Sequence, residues 1–74
     1  MNLELKDLVK AIRKQSGLNR EELAKLAGVG KTSIFDLEHG KESIQFDTLL
    51  KILKALNIRI EFHHPLLEKP HEKS

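Results

Sequence analysis

A chain of 74 residues without cysteine has room for one domain, and neither disulfides nor thiolate metal sites can hold that domain together. Hydrophobic residues make up 39% and charged residues 32%, too apolar a mixture for disorder, and the only aromatics are three phenylalanines, which argues against a β-sandwich core and against base-stacking nucleic-acid modules. The formal charge of +2 is compatible with a polyanionic partner without requiring one, and the lack of a leader or long apolar run predicts a cytoplasmic protein with no membrane partner.

Leu5, Leu8, Val9 and Ile12 recur at steps of three and four, with Lys6, Lys10, Arg13 and Lys14 between them. This period predicts an amphipathic helix that stops near Ser16-Gly17. Asn19 then suits the N-cap of a second helix: Glu22 stands at capping-box spacing, and Glu21 and Glu22 favour the positive helix end. That helix carries Leu23, Ala24, Leu26 and Ala27 and breaks at Gly28. Ala27-Gly28-Val29-Gly30 forms a tight connection to a third short helix, from about Lys31 to Glu38, which buries Ile34 and Leu37 and ends at His39-Gly40.

A fourth helix is expected from around Gln45 to Asp47, with an apolar stripe of Phe46, Leu49, Leu50, Leu53 and Leu56; Ile52 falls off the centre of that stripe. Asn57 is a plausible stop. Ile58, Ile60 and Phe62 then alternate with Arg59 and Glu61, the pattern of a half-buried strand over 57–62. One strand cannot satisfy its own backbone groups, so it needs a neighbour that the chain does not offer. The domain is therefore drawn as 1–62, and the prolines, charges and histidines of 63–74 as a flexible tail.

Within Arg20 to His39, one short helix, a glycine turn and a second short helix follow without slack. Ala24 is the small residue that lets two helices close, and Leu23, Ala27, Val29, Ile34 and Leu37 supply the core. These are the requirements of a helix-turn-helix whose second helix enters a DNA major groove. Gly17-Leu18-Asn19-Arg20-Glu21-Glu22-Leu23-Ala24 and Leu37-Glu38-His39-Gly40-Lys41 resemble the Xre or lambda-repressor-like regulators over roughly residues 8–56. The short size and the 57–62 strand are similar to one branch, the HipB-like antitoxins. That resemblance implies an all-α fold of four or five short helices, a homodimer on a palindromic operator in double-stranded DNA, and pairing with a HipA-type kinase toxin.

The resemblance places base reading on Lys31, Thr32 and Asp36, with Phe35 beside them. The chemistry fits, since lysine can donate to guanine, threonine can meet a thymine methyl and aspartate can accept from cytosine. Arg20, Lys41, Ser43, Thr48 and Lys10 are candidates for phosphate contacts, against the plain alternative of solvated surface side chains. Arg13 and Glu38 resemble the family's structural ion pair between the first helix and the end of the recognition helix. Two departures stand out: many members have Gln where this chain has Arg20, and Ser or Thr where it has Gly30, which leaves the third helix without a side-chain cap.

His39, His63, His64 and His71 lack ligand spacing, so no metal is expected. No nucleophile–base set can be argued, and Gly28-Val29-Gly30-Lys31-Thr32 lacks the upstream glycine of a phosphate loop, so neither a cofactor nor an enzyme activity is implied. For the dimer, two copies of 57–62 are expected to pair antiparallel through Ile58, Ile60 and Phe62, with Ile52 packed beneath and Arg59 near Glu61 of the other copy. Such a pair sets the recognition helices about 34 Å apart. The rivals are a stand-alone or phage-type repressor without a toxin, and a toxin-neutralising interaction module with weak DNA binding.

Overall fold

Four helices make up the fold of residues 4–66, the part of the chain that the computed structural model describes: α1 (Leu5–Gln15), α2 (Arg20–Ala27), α3 (Lys31–Glu38) and α4 (Phe46–Ala55). Local chemistry sets their ends. At α2 the capping box forms as expected: the Glu22 amide donates to Asn19 Oδ1 and the Asn19 amide donates to Glu22 Oε1, both at 2.8 Å. Gly30 and Gln45 precede α3 and α4 and place no side-chain cap on them.

At the C-termini the chain uses one device four times. The amides of Leu18, Val29, Lys41 and Ile58 reach back five residues, to the carbonyls of Arg13, Ala24, Asp36 and Leu53, at 2.9 to 3.2 Å. This is the Schellman motif, which requires a left-handed residue one step earlier. Glycine fills that position three times and Asn57, with φ 61°, the fourth. Three of the four back-reaching residues, Leu18, Val29 and Ile58, also pack against the core. At the end of α3 the residue is Lys41, which is exposed.

Val9, Leu23, Ala24, Ile34, Leu37, Ile52, Leu53 and Leu56 form the core, with α2 packed on α3 and α4, and α1 on α3. Leu23, Ile34, Ile52 and Val9 are fully buried, each contributing about 1.5–3 kcal/mol of apolar burial. The phase of α4 differs from the expected stripe. Phe46 is 64% and Leu50 40% exposed, whereas Ile52 is completely enclosed. Apolar residues occupy so much of this helix that two stripes fit a 3.6-residue period, 46/49/50/53 and 49/52/53/56. The second is the one that enters the core. Ile52 therefore belongs to the interior of its own chain and has no surface to give to a second copy, contrary to its expected place in a dimer interface.

The 57–62 strand is also absent from the single chain, in which no strand occurs among the described residues. Asn57 and Ile58 serve instead as the stop of α4, while Ile60 is 40% and Phe62 80% exposed. The expected tail, 63–74, is described only as far as position 66, where His63, His64 and Leu66 are exposed; Leu67 onward lies outside the described residues. No helix among the described residues is long and apolar enough to cross a membrane.

Arg13 and Glu38, both 6% exposed, tie α1 to α3 as the resemblance implied. Arg13 Nε donates to Glu38 Oε2 at 2.7 Å and Nη2 to Oε1 at 3.0 Å, while Nη1 donates to the Leu18 carbonyl at 2.8 Å. Arg20 adds a third member, its Nε donating to Glu38 Oε1 at 3.0 Å. Burial alone raises the Glu38 carboxyl; the hydrogen bond and charge of Arg13, then those of Arg20, outweigh it and hold the group below its ordinary value.

Breaking the pair on one side leaves a buried charge short of a partner. Arg13→Ala is expected to cost about 3–5 kcal/mol, against a total of about 4–11 kcal/mol for a chain of this size. Arg13→Met combined with Glu38→Leu should cost less than Arg13→Ala alone, which urea-unfolding midpoints will decide. The depressed Glu38 carboxyl also sets a sign for pH. Its contribution is complete above the unfolded-state value of about 4.3 and is lost as pH falls below it, through the lower folded-state value. The unfolding free energy of the parent should therefore drop more steeply below that pH than that of Glu38→Gln.

Candidate nucleic-acid interface

With Ile34 and Leu37 in the core and Glu38 locked by two guanidiniums, the rotation of α3 about its axis is fixed. Period 3.6 then turns Lys31, Thr32 and Phe35 outward. All three are exposed, Phe35 at 47%, and Asp36 is half-buried at their edge. The four residues expected to read bases thus share the outer side of one helix.

Beside Asp36 lies a shallow cleft of about 240 Å³, walled by Ser33 and Asp36 of α3, by Lys41, Ser43, Ile44 and Gln45 of the connection, and by Thr48 of α4. It brings together three of the five side chains expected at phosphates: Lys41, Ser43 and Thr48. The Schellman stop of α3 places Lys41 there, and Lys41 Nζ lies 3.4 Å from Asp36 Oδ2. The Asp36 carboxylate therefore has a lysine at hand that the sequence did not assign to it. The N-terminus of α3 has no side-chain cap and no acidic residue in its first turn, which suits it to anions, whereas at α4 the Thr48 amide already donates to Asp47 Oδ1 at 2.8 Å.

The remaining phosphate candidates fall elsewhere. Lys10 is half-buried on α1, and among the described residues no hydrogen bond or ion pair joins it to the others. Arg20 is drawn into the Glu38 carboxylate rather than standing free, and its Cζ lies 5.4 Å from the Phe35 ring centroid. Phe35 in turn stacks on His39, with centroids 3.9 Å apart and planes inclined by 21°. The role of His39 as a ring partner was not expected, although its position four after Phe35, at the cap of the same helix, is a readable signal.

The expected dimer residues separate into two groups. Ile52 is interior and Ile58 half-buried, whereas Ile60 lines an open apolar cleft of about 520 Å³ with Leu50, Leu53, Lys54, Asn57, Ile58 and Arg59. Phe62 stands outside that cleft and is largely exposed.

Comparison with known proteins agrees with this architecture. A solved structure described as a HipA-HipB-O2-O3 complex contains a chain that superposes with a TM-score of 0.75 at 25% identity, covering 88% of this chain and 97% of that one. An HTH-type transcriptional regulator of Sinorhizobium fredii, y4mF, is 41% identical over 58 residues, 78% of this chain and 76% of its own length. Antitoxin HipB of Escherichia coli K12 is 31% identical over 55 residues; the match spans 74% of this chain but only 62% of the antitoxin. Residues 9–63 match the helix-turn-helix family HTH_3, and with α2, the Gly28 turn and α3 arranged as described, the chain belongs to that family.

Proposed function

We propose that this protein is a sequence-specific DNA-binding repressor that acts as a homodimer on a palindromic operator and serves as the antitoxin to a HipA-type kinase. The observation that carries the DNA-binding part is the continuity of Lys31, Thr32, Phe35 and Asp36 with the cleft of Lys41, Ser43 and Thr48. A recognition helix needs base-reading side chains in line with phosphate-binding ones, because phosphates set the register in which bases are read. The likeness to HipB chains supports the antitoxin part. Co-expression with the product of an adjacent kinase-like reading frame tests it: a stable complex is expected, and a repressor without a toxin forms none.

Lys31 and Asp36 should both set preference but differ in their effect on affinity. Lys31→Ala removes a donor and is expected to cost roughly 1–3 kcal/mol on the operator while relaxing preference at one or two base pairs. Asp36→Ala also relaxes preference, but it releases Lys41 from its ion pair and should raise affinity for unrelated duplex. Titration of both variants against operator and scrambled DNA at fixed salt checks this; two variants indistinguishable from the parent would remove α3 from the groove.

We infer a dimer contact narrower than expected, without Ile52, which lies inside its own chain. Ile60 and Phe62 remain exposed beside an apolar cleft, and the backbone of 59–62 is free of ladder partners among the described residues. Pairing of this segment with its copy would satisfy both. Ile60→Lys should then sediment as a monomer at micromolar concentration and lose most operator affinity while keeping its helical circular dichroism, since Ile60 takes no part in the core.

A further inference from the structure

Arg20 can bind a phosphate in principle, but the Nε of its guanidinium is already engaged in a chain of paired groups. Arg13 holds Glu38 through two hydrogen bonds, the Glu38 side chain is wholly buried, and Glu38 holds Arg20 through Nε at 3.0 Å. Beyond it stands Phe35, 5.4 Å away, which stacks on His39. His39 is itself anchored, with Nδ1 2.7 Å from the Phe35 carbonyl oxygen. An exposed phenylalanine on a helix has two open χ1 wells and no burial to choose between them. Here a cation from α2, held at Nε by Glu38, and a stacked ring from the next turn choose for it.

We propose that Arg20 is a specificity-determining positioning residue, which fixes the Phe35 ring for apolar contact with a base edge such as the thymine methyl, and is not a sequence-blind phosphate contact. This rests on the reading of α3 as the base-reading helix. The guanidinium suits the task because its plane can lie against a ring while Nε keeps its hydrogen bond to the carboxylate. Lysine keeps the charge and loses the plane; glutamine loses the charge. The two roles therefore part company in substitution. A phosphate contact depends on charge and appears in the salt dependence, whereas a positioning role depends on shape and appears in discrimination between sequences.

The experiment begins with a duplex selected by the parent protein from a random library. Arg20→Gln and Arg20→Lys are then titrated against that duplex and a scrambled one over a series of salt concentrations, with thermal melts to establish that both variants are folded. The expected result is a fall of about tenfold in the ratio of selected to scrambled affinity for Arg20→Gln, without restoration by Arg20→Lys. The salt slope on scrambled duplex should stay at the parent value. A slope shallower by about 0.9 for Arg20→Gln, with the ratio unchanged and Arg20→Lys restoring the parent behaviour, would overturn the proposal in favour of a phosphate contact. Failure of the parent to enrich any sequence is a different outcome and removes the base-reading assignment of α3 itself. The positioning step has its own readout in the free protein: Phe35 χ1 couplings in the NMR spectrum should indicate one rotamer in the parent and averaging in Arg20→Lys. Averaging already in the parent would overturn it.

Discussion

A single carboxylate organises the outward-facing half of this protein. Glu38 ends α3 with no exposed side-chain surface, yet it is charged, and its charge is answered by Arg13 from α1 and Arg20 from α2. A buried carboxylate is tolerable only when its oxygens are matched in geometry as well as in charge. That condition draws three helices to one point. It also fixes what apolar packing cannot: Ile34 and Leu37 press α3 against the core, but contacts between aliphatic side chains permit rolling, whereas hydrogen bonds from two directions do not. The outward set of Lys31, Thr32 and Phe35 follows from that stop.

The division of labour along α3 is correspondingly fine. Positions 34, 37 and 38 belong to the fold, and positions 31, 32 and 35 face outward. Asp36 and Lys41 sit on the boundary, paired with each other across the stop of the helix. An acid next to a base on a surface that meets a polyanion is a selective arrangement, because the carboxylate repels phosphate wherever no base-edge donor compensates for it. The modest overall charge of +2 accords with a protein that gains little from non-specific attraction.

Much of the fold was legible because its boundaries rest on short-range chemistry. Asn19 with Glu22, the glycines at 17, 28 and 40, and Asn57 each act within a turn, so they are written in neighbouring letters and every helix C-terminus could be placed. The face of α4 was not legible: Phe46, Leu49, Leu50, Ile52, Leu53 and Leu56 surround the axis, and only the surface of α2 that it packs on selects between two equivalent stripes. The candidate site divides in the same way. Exposure of Lys31, Thr32 and Phe35 follows from period alone, and Arg13 with Glu38 from family resemblance. The engagement of Arg20 did not, because a separation of 18 positions from Glu38 carries no local mark of their meeting. The segment 57–62 has an alternating pattern that the isolated chain leaves unused, since a ladder needs a second strand.

The stop at Asn57 governs more than the end of a helix. Its left-handed torsion turns the chain back so that Ile58 packs against the core, and residues 59–62 leave the domain from that mount. In a two-fold assembly built on the following residues, that mount converts a local backbone angle into the rotational phase between two reading heads on the DNA helix. Side-chain direction alternates with every residue of an extended segment, so adding one residue after Ile58 would invert which edge meets the partner and shift that phase. The letters each head reads would be untouched; what would change is the distance along the duplex at which two copies of the word must be written.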